Sequence, residues 1–386
     1  MKKILLTAIL SLAVLFVNAQ EEKNIADLNF LYQAIKQTPS YKDQLKNDKS
    51  YVQLYETLRK DLKSEDDFAI YQQLLKLIYP LKDNHLGFSR KSDSSYKFNY
   101  LRPALDKNEL ESKYANAELS DITGFYSSPS GKTKVVIYEQ SPNVFYLQNL
   151  NTSVVESILH RTSSDSFDVI RFLNPPVPYV LYRNVRFRNG RIDDLGYIKT
   201  QKTPYNELVK GSENFEYKKL EEEVGYLRLS SFMARPANLK KATEFFQQTK
   251  PLITTKHLIV DVRNNGGGGY KTSQQFINFL KSYKGLVYIL QNGFSVSNAE
   301  QFLLKLKGRK NITTLGETTK GTITYGSNYG KKIDLPSGRF VLSPTDMKGL
   351  AKELVYESRG IEPDVKLDVF KGDWIEQTLE YIKKNP

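Results

Sequence analysis

Residues 257–269 read His257-Leu258-Ile259-Val260-Asp261-Val262-Arg263-Asn264-Asn265-Gly266-Gly267-Gly268-Gly269, an apolar run that closes on four glycines. A short apolar stretch bounded by glycine and containing β-branched residues is the pattern of a strand buried on both faces. The neighbouring segments repeat it: 224–229, 286–290 and 312–315 read as further strands. Between them, 239–247, 272–283 and 297–307 carry apolar residues at helical spacing, as in Ala299, Phe302, Leu303 and Leu306. Strands alternating with helices in this way predict βαβ crossovers and a largely parallel sheet covered by helices, an α/β core. Reactive sites of open α/β sheets gather at the carboxyl ends of the strands. Here those ends are 264–269 and 293–297.

Toward the N-terminus the period changes. Residues 123–208 hold short β-rich runs (134–138, 144–147, 167–172, 179–182 and 185–192), and Asn189-Gly190 between two of them predicts a hairpin with a primed turn. This predicts a small all-β domain. Residues 25–82 carry Leu28, Leu31, Ile35, Tyr71, Leu74, Leu75 and Ile78 at helical spacings, and Lys82-Asp83-Asn84-His85 reads as the loop that ends the helical block. Lys2 and Lys3 precede an apolar run over 4–17, broken only by Thr7 and Ser11, then Val17-Asn18-Ala19. This is the layout of a bacterial secretory signal peptide, too short to span a bilayer comfortably, so the mature chain is expected outside the cytoplasm, in the periplasm or beyond. The expected organisation is a signal peptide at 1–19, a helical region at 20–115, a β domain at 116–215 and an α/β catalytic domain at 220–386.

Composition narrows the chemistry. The 386 residues contain no cysteine and only three histidines, His85, His160 and His257, widely separated. A disulfide framework, a thiolate metal site and a cysteine nucleophile are excluded, and neither a metal nor an organic cofactor is expected. The net charge of +13 is spread along the chain without a block of like charges, which predicts a solvated basic surface rather than a nucleic-acid partner. The glycine run has three readings: a flexible connection, a phosphate cradle, or a strip of backbone donors for an oxyanion. Neither GxGxxG nor GxxxxGK[ST] is present. Ser297, three residues before Glu300, fits a capping box and equally fits a nucleophile at a helix N-terminus.

Six ordered motifs over 224–365 resemble peptidase family S41, the tail-specific or C-terminal-processing proteases and their tricorn-like relatives. They are Gly225-Tyr226-Leu227, the Asp261–Gly268 run (DxRxNxGG), Ser295–Glu300 (TxSAAE), Gly316-Glu317-Thr318-Thr319, Leu335-Pro336-Ser337-Gly338 and Gly360–Asp364 (GIxPD). Upstream, Leu81–His85 resembles the family's LxDxH segment. The resemblance implies a ClpP- or crotonase-like α/β core. The family's PDZ module has no recognisable counterpart in this sequence, where the β block at 123–208 stands instead. It further implies a serine-type peptidase acting on a peptide or protein through an acyl-enzyme. On it, Ser297 is the nucleophile, and backbone N–H groups of Gly267, Gly268 and Asn298 form the oxyanion hole. His85 is the general base and Glu357 its orienting acid. The family's other solution is a lysine base; Thr322 occupies that lysine's place, and Lys320 lies two residues earlier, about 6.6 Å along an extended strand. The competing expectation is a catalytically inactive protein of the same fold that binds peptides or an apolar ligand. Substrate preference and oligomeric state are not legible.

Overall fold

A computed structural model of the chain describes residues 21–63, 66–96, 99–114, 116–173, 177–199, 202–207, 212–327 and 330–385. The expected signal peptide lies outside them. Two compact units are present: one ends at Val185 and regains Tyr325–Lys348, and the other comprises Arg186–Thr324 and the chain from Gly349 on. These divisions cut across the boundaries expected from sequence. The helical region and most of the β block form one unit, the 186–215 stretch joins the α/β part, and 325–348 leaves it.

In the first unit the helical block breaks into helices at 21–37, Pro39–Gln44, Lys49–Asp61 and Asp67–Ile78. Each break has a local cause. The side chains of Thr38, Asp48 and Asp66 accept the N–H groups of Tyr41, Ser50 and Ala69, so each starts a new helix, and Pro39 fits the first turn. Tyr71, Leu74, Leu75 and Ile78 are fully buried and share one core with Phe88, Ile158, Ile170 and Phe340. The sheet behind that core runs, in spatial order, Ile333–Asp334, Phe340–Ser343, Gly87–Arg90, Tyr179–Arg188, Ser166–Phe172, Val155–Arg161, Val144–Asn149, Lys134–Ser141 and Gly124–Ser127. The strands at 87–90, 155–161 and 333–343 are not foreseen by the periodicity. The Leu335–Gly338 motif forms the turn between Ile333–Asp334 and Phe340–Ser343, so it belongs to this unit rather than to the α/β core.

The second unit is a six-stranded sheet of β1 (Phe215–Glu221), β2 (Val224–Leu229), β3 (His257–Asp261), β4 (Leu286–Gln291), β5 (Ile312–Gly316) and β6 (Val365–Lys366), arranged in that order. Only β1 is antiparallel to its neighbour; the rest run parallel. Helices α1 (Pro236–Thr249), α2 (Tyr270–Ser282) and α3 (Asn298–Leu306) make the crossovers from β2 to β5. Strands that advance in one direction through right-handed crossovers place all their helices on one face. Accordingly Ala242, Phe276, Ile277, Phe302 and Leu303 pack with Leu227, Val260 and Ile289. The other face, carrying Tyr226, Ile259, Tyr288 and Leu290, is covered by α4 (Trp374–Lys384) through Trp374 and Ile382. The α/β core expected from 257–269 is therefore present, with the glycine run and the Ser297 turn at the carboxyl ends of β3 and β4.

Candidate active site

The turn after β3 is fixed by a buried ion pair within its own motif. Arg263 Nη2 lies 2.7 Å from Asp261 Oδ2, and Tyr226 Oη donates to the same oxygen at 2.9 Å. Asn265 then holds three segments together. Its Nδ2 donates to Leu229 O at 2.7 Å, its Oδ1 accepts from Gly267 N at 2.9 Å, and its carbonyl accepts from Val296 N at 2.9 Å. Gly267 has φ +82°, and a Cβ there would stand 2.6 Å from Val296 O, 2.8 Å from Ser297 Cβ and 2.9 Å from Asn298 N. Gly268, at φ +136°, would overlap the backbone of Phe232. The glycines are thus required for close approach, and the run is not a slack connection.

Ser297 ends the turn that follows β4, at φ 57° and ψ −117°. A side-chain-bearing residue there costs of order 1–3 kcal/mol, and such strain gathers at functional positions. The capping box forms only in half: Glu300 Oε2 accepts Ser297 N at 3.0 Å, whereas Ser297 Oγ makes no hydrogen bond among the described residues. The serine is half-buried and its hydroxyl is not spent on the helix. Two backbone donors, Gly268 N–H and Asn298 N–H, likewise have no acceptor among the described residues. The expected donor Gly267 is corrected: its N–H is taken by Asn265 Oδ1, a local side-chain turn that competes with any ligand. Gly267 serves by its missing side chain instead.

Below the serine, Glu300 is fully buried and receives four donors: Ser297 N, Thr319 Oγ1 at 2.6 Å, Gly321 N at 2.7 Å and Thr322 N at 2.9 Å. Burial pushes its carboxyl above the ordinary carboxylate range while the four donors pull the other way. Ile361 N in turn donates to Thr319 Oγ1 at 2.8 Å, so one side chain links three of the sequence motifs. The sequence places Glu300 in a capping box and at the end of the Ser295–Glu300 motif. It gives Glu300 no partners beyond the cap, because spacing along one helix says nothing of partners from distant loops. Glu357 Oε2, also buried, accepts Ile323 N at 2.9 Å and Thr324 N at 2.8 Å and so anchors the segment that runs away from Thr322. Lys320 Nζ is engaged by Asp194 at 2.6 and 2.7 Å, a pair it would have to surrender to act as a base. Thr322, in the place of the family's lysine, is buried with a hydroxyl that makes no hydrogen bond among the described residues.

His85 belongs to the first unit, while Ser297 and Glu357 belong to the second. Its loop is closely built. Gln44 exchanges two hydrogen bonds of 2.9 Å with the backbone of Lys82, and Arg183 Nη2 donates to Leu81 O at 2.6 Å. Buried Asp83 accepts His85 N at 3.3 Å and Thr345 Oγ1 at 2.6 Å. The half-buried histidine therefore sits on a fixed platform within its unit.

Residues 223–284, which run from β2 through the glycine run into the end of α2, match the model of Peptidase family S41. The likeness of this chain is to peptidase family S41. The S41 match ends before Ser297. Among curated proteins none matches the chain. Among solved structures, a proposed peptidase from Parabacteroides merdae is similar at 15% identity, with 93% of this chain and 96% of that one covered and a TM-score of 0.47. Mature CPAF is similar at 13% identity over 95% and 97% of the two chains, with a TM-score of 0.46. The photosystem II D1 C-terminal processing protease is similar at 15% identity over 89% and 93%, with a TM-score of 0.40. Among the described residues no helix is long and apolar enough to cross a membrane.

Proposed function

We propose that the chain is an exported serine peptidase that cleaves peptide bonds through an acyl-enzyme on Ser297. The observation that carries this reading is the strained positive-φ backbone of Ser297, which leaves its hydroxyl uncommitted at a strand–turn–helix junction beside two unused backbone donors. Ser297 Oγ attacks the scissile carbonyl, and the oxyanion that forms is held by the N–H groups of Asn298 and Gly268. His85 is the general base in this reading, with Glu357 its orienting acid, both carried over from the family resemblance. The base takes the hydroxyl proton and returns it to the leaving amine; water then releases the acyl group by the reverse sequence.

A fluorophosphonate probe tests the proposal. The expected result is a single covalent adduct, located to Ser297 by peptide mass mapping and lost in Ser297→Ala, together with cleavage products from a diverse peptide mixture. His85→Ala loses activity and Lys320→Ala keeps it. A folded chain that takes no probe and cleaves nothing would instead be a peptide-binding or apolar-ligand-binding protein of this fold.

A further inference from the structure

The hairpin at 186–196 sends its charged side chains into the loops around the nucleophile. Its turn residues Asn189 and Gly190 both have positive φ, and Arg188 pairs with Arg191 across it. Arg186 donates to Ser358 O, and Arg188 donates to Thr318 O and Thr319 O. Arg191 Nη2 donates to Glu317 Oε2 at 2.8 Å, while Asp194 holds Lys320. Arg191 and Glu317 are both about nine-tenths buried or more. The other carboxylate oxygen, Glu317 Oε1, accepts Asn206 Nδ2 at 2.8 Å and Gly293 N at 3.2 Å. Gly293 opens the turn that carries Ser297. A Cβ on it would meet Asp193 Oδ2 at 2.8 Å, Arg188 Nη1 at 3.4 Å and Glu317 Oε1 at 3.5 Å, so the charged cluster lies directly on its backbone.

Such a cluster is a costly way to fill space, because two buried ions recover their desolvation only in good geometry. Here Arg186, Arg188 and Glu317 each also take a backbone partner in the loops around Ser297, at Ser358, Thr318–Thr319 and Gly293. We propose that Glu317, aligned by Arg191 and Asn206, is a positioning residue that sets the Gly293–Ser297 turn and through it the direction of the Ser297 hydroxyl. The rate consequence rests on the peptidase reading; the turn's order does not.

The test therefore has two arms, run on the full chain. Amide hydrogen exchange is followed at 293–297, and the rate of fluorophosphonate labelling at Ser297 is followed in parallel. Glu317→Ala is expected to speed exchange of the Gly293 amide by roughly 10-fold or more, because a charge-assisted hydrogen bond is lost, and to slow labelling by roughly 10- to 100-fold. Exchange in the interior of β3 is expected to stay as in the parent. Glu317→Gln keeps an acceptor oxygen and the side-chain volume, and is expected to recover most of the Gly293 protection and part of the labelling rate; it also carries the test if the alanine variant fails to fold. Parental exchange at Gly293 in Glu317→Ala overturns the proposal, as does uniform loosening of β3 and the turn together. If the parent chain takes no probe, the peptidase reading fails, and the exchange arm alone decides the positioning role.

Discussion

Ser297 and Gly267 face each other across the site and make separable predictions. Ser297 Oγ bonds to nothing among the described residues, so Ser297→Ala should abolish probe labelling while moving unfolding free energy by less than about 1 kcal/mol, the scale of a lost cap. Denaturant titration with parent and variant side by side measures it. A large destabilisation would mean that the hydroxyl has a structural partner after all. Gly267→Ala is the converse case. Its N–H stays on Asn265, but its Cβ has to push against Val296 O, Ser297 Cβ and Asn298 N, at a φ that L-residues avoid. The expectation is a loss of about 1–3 kcal/mol in stability with a labelling rate lowered by about 10²-fold or more. If labelling stays at the parental rate, the close approach of the glycine run does not matter to the serine.

At the scale of the element, the arginine hairpin carries a titration. Asp193 is buried in it, and burial pushes its carboxyl up to about 6 although Arg188 and Arg191 pull it down; Glu317 and Asp194 add to the rise. The folded value lies above the ordinary carboxylate value of about 3.9, so this group's contribution to stability is complete below pH ~4 and is lost as pH rises through about 6. Asp193→Asn cannot lose it. Melting temperatures of parent and variant from pH 4 to 8 should diverge in favour of the variant as pH rises and run parallel above pH ~7. Curves parallel throughout would show that Asp193 titrates as it does in the unfolded chain.

At the scale of the whole molecule, the chain leaves the α/β unit after Thr324 and returns at Gly349, having completed the first unit on the way. Arg339, on that excursion, donates to Asp67 Oδ1 at 2.7 Å, Asn24 Oδ1 at 2.7 Å and Asp27 Oδ2 at 3.0 Å. Asp27 is wholly buried, and Ser337 supplies its other donors. Breaking a buried ion pair leaves an uncompensated charge, so Arg339→Ala should cost about 3–5 kcal/mol. Hydrogen exchange should place the loosening in the helices at 21–78 rather than in β2–β5. An unchanged melting temperature would show that the 325–348 segment merely rests on the first unit.

The centre of the α/β core was legible because β2 to β5 and α1 to α3 each carry their own periodicity, and the 257–269 run closes on glycines whose positive φ the fold requires. The outer elements β1, β6 and α4 were not read from the sequence. The Asn189-Gly190 turn was legible for the same reason: its signal is local. The serine's position at the start of α3 could also be read from motif and spacing. What the sequence by itself determined was the set of elements and the residue types offered at the strand ends. Tertiary structure alone decided how those residues are used. Asn265 takes the N–H of Gly267, Glu300 anchors the 319–322 segment as well as capping its helix, and Glu317 reaches Arg191 from well over a hundred residues away. The division into units was decided in the same way, since the strands at 333–343 have no periodicity that announces them and 325–348 joins the first unit only in the folded chain. The physical reason is common to all of these cases. Periodicity and turn chemistry are set by neighbours in the chain, whereas a buried polar group is satisfied by whichever donor or acceptor the folded chain brings within about 3 Å.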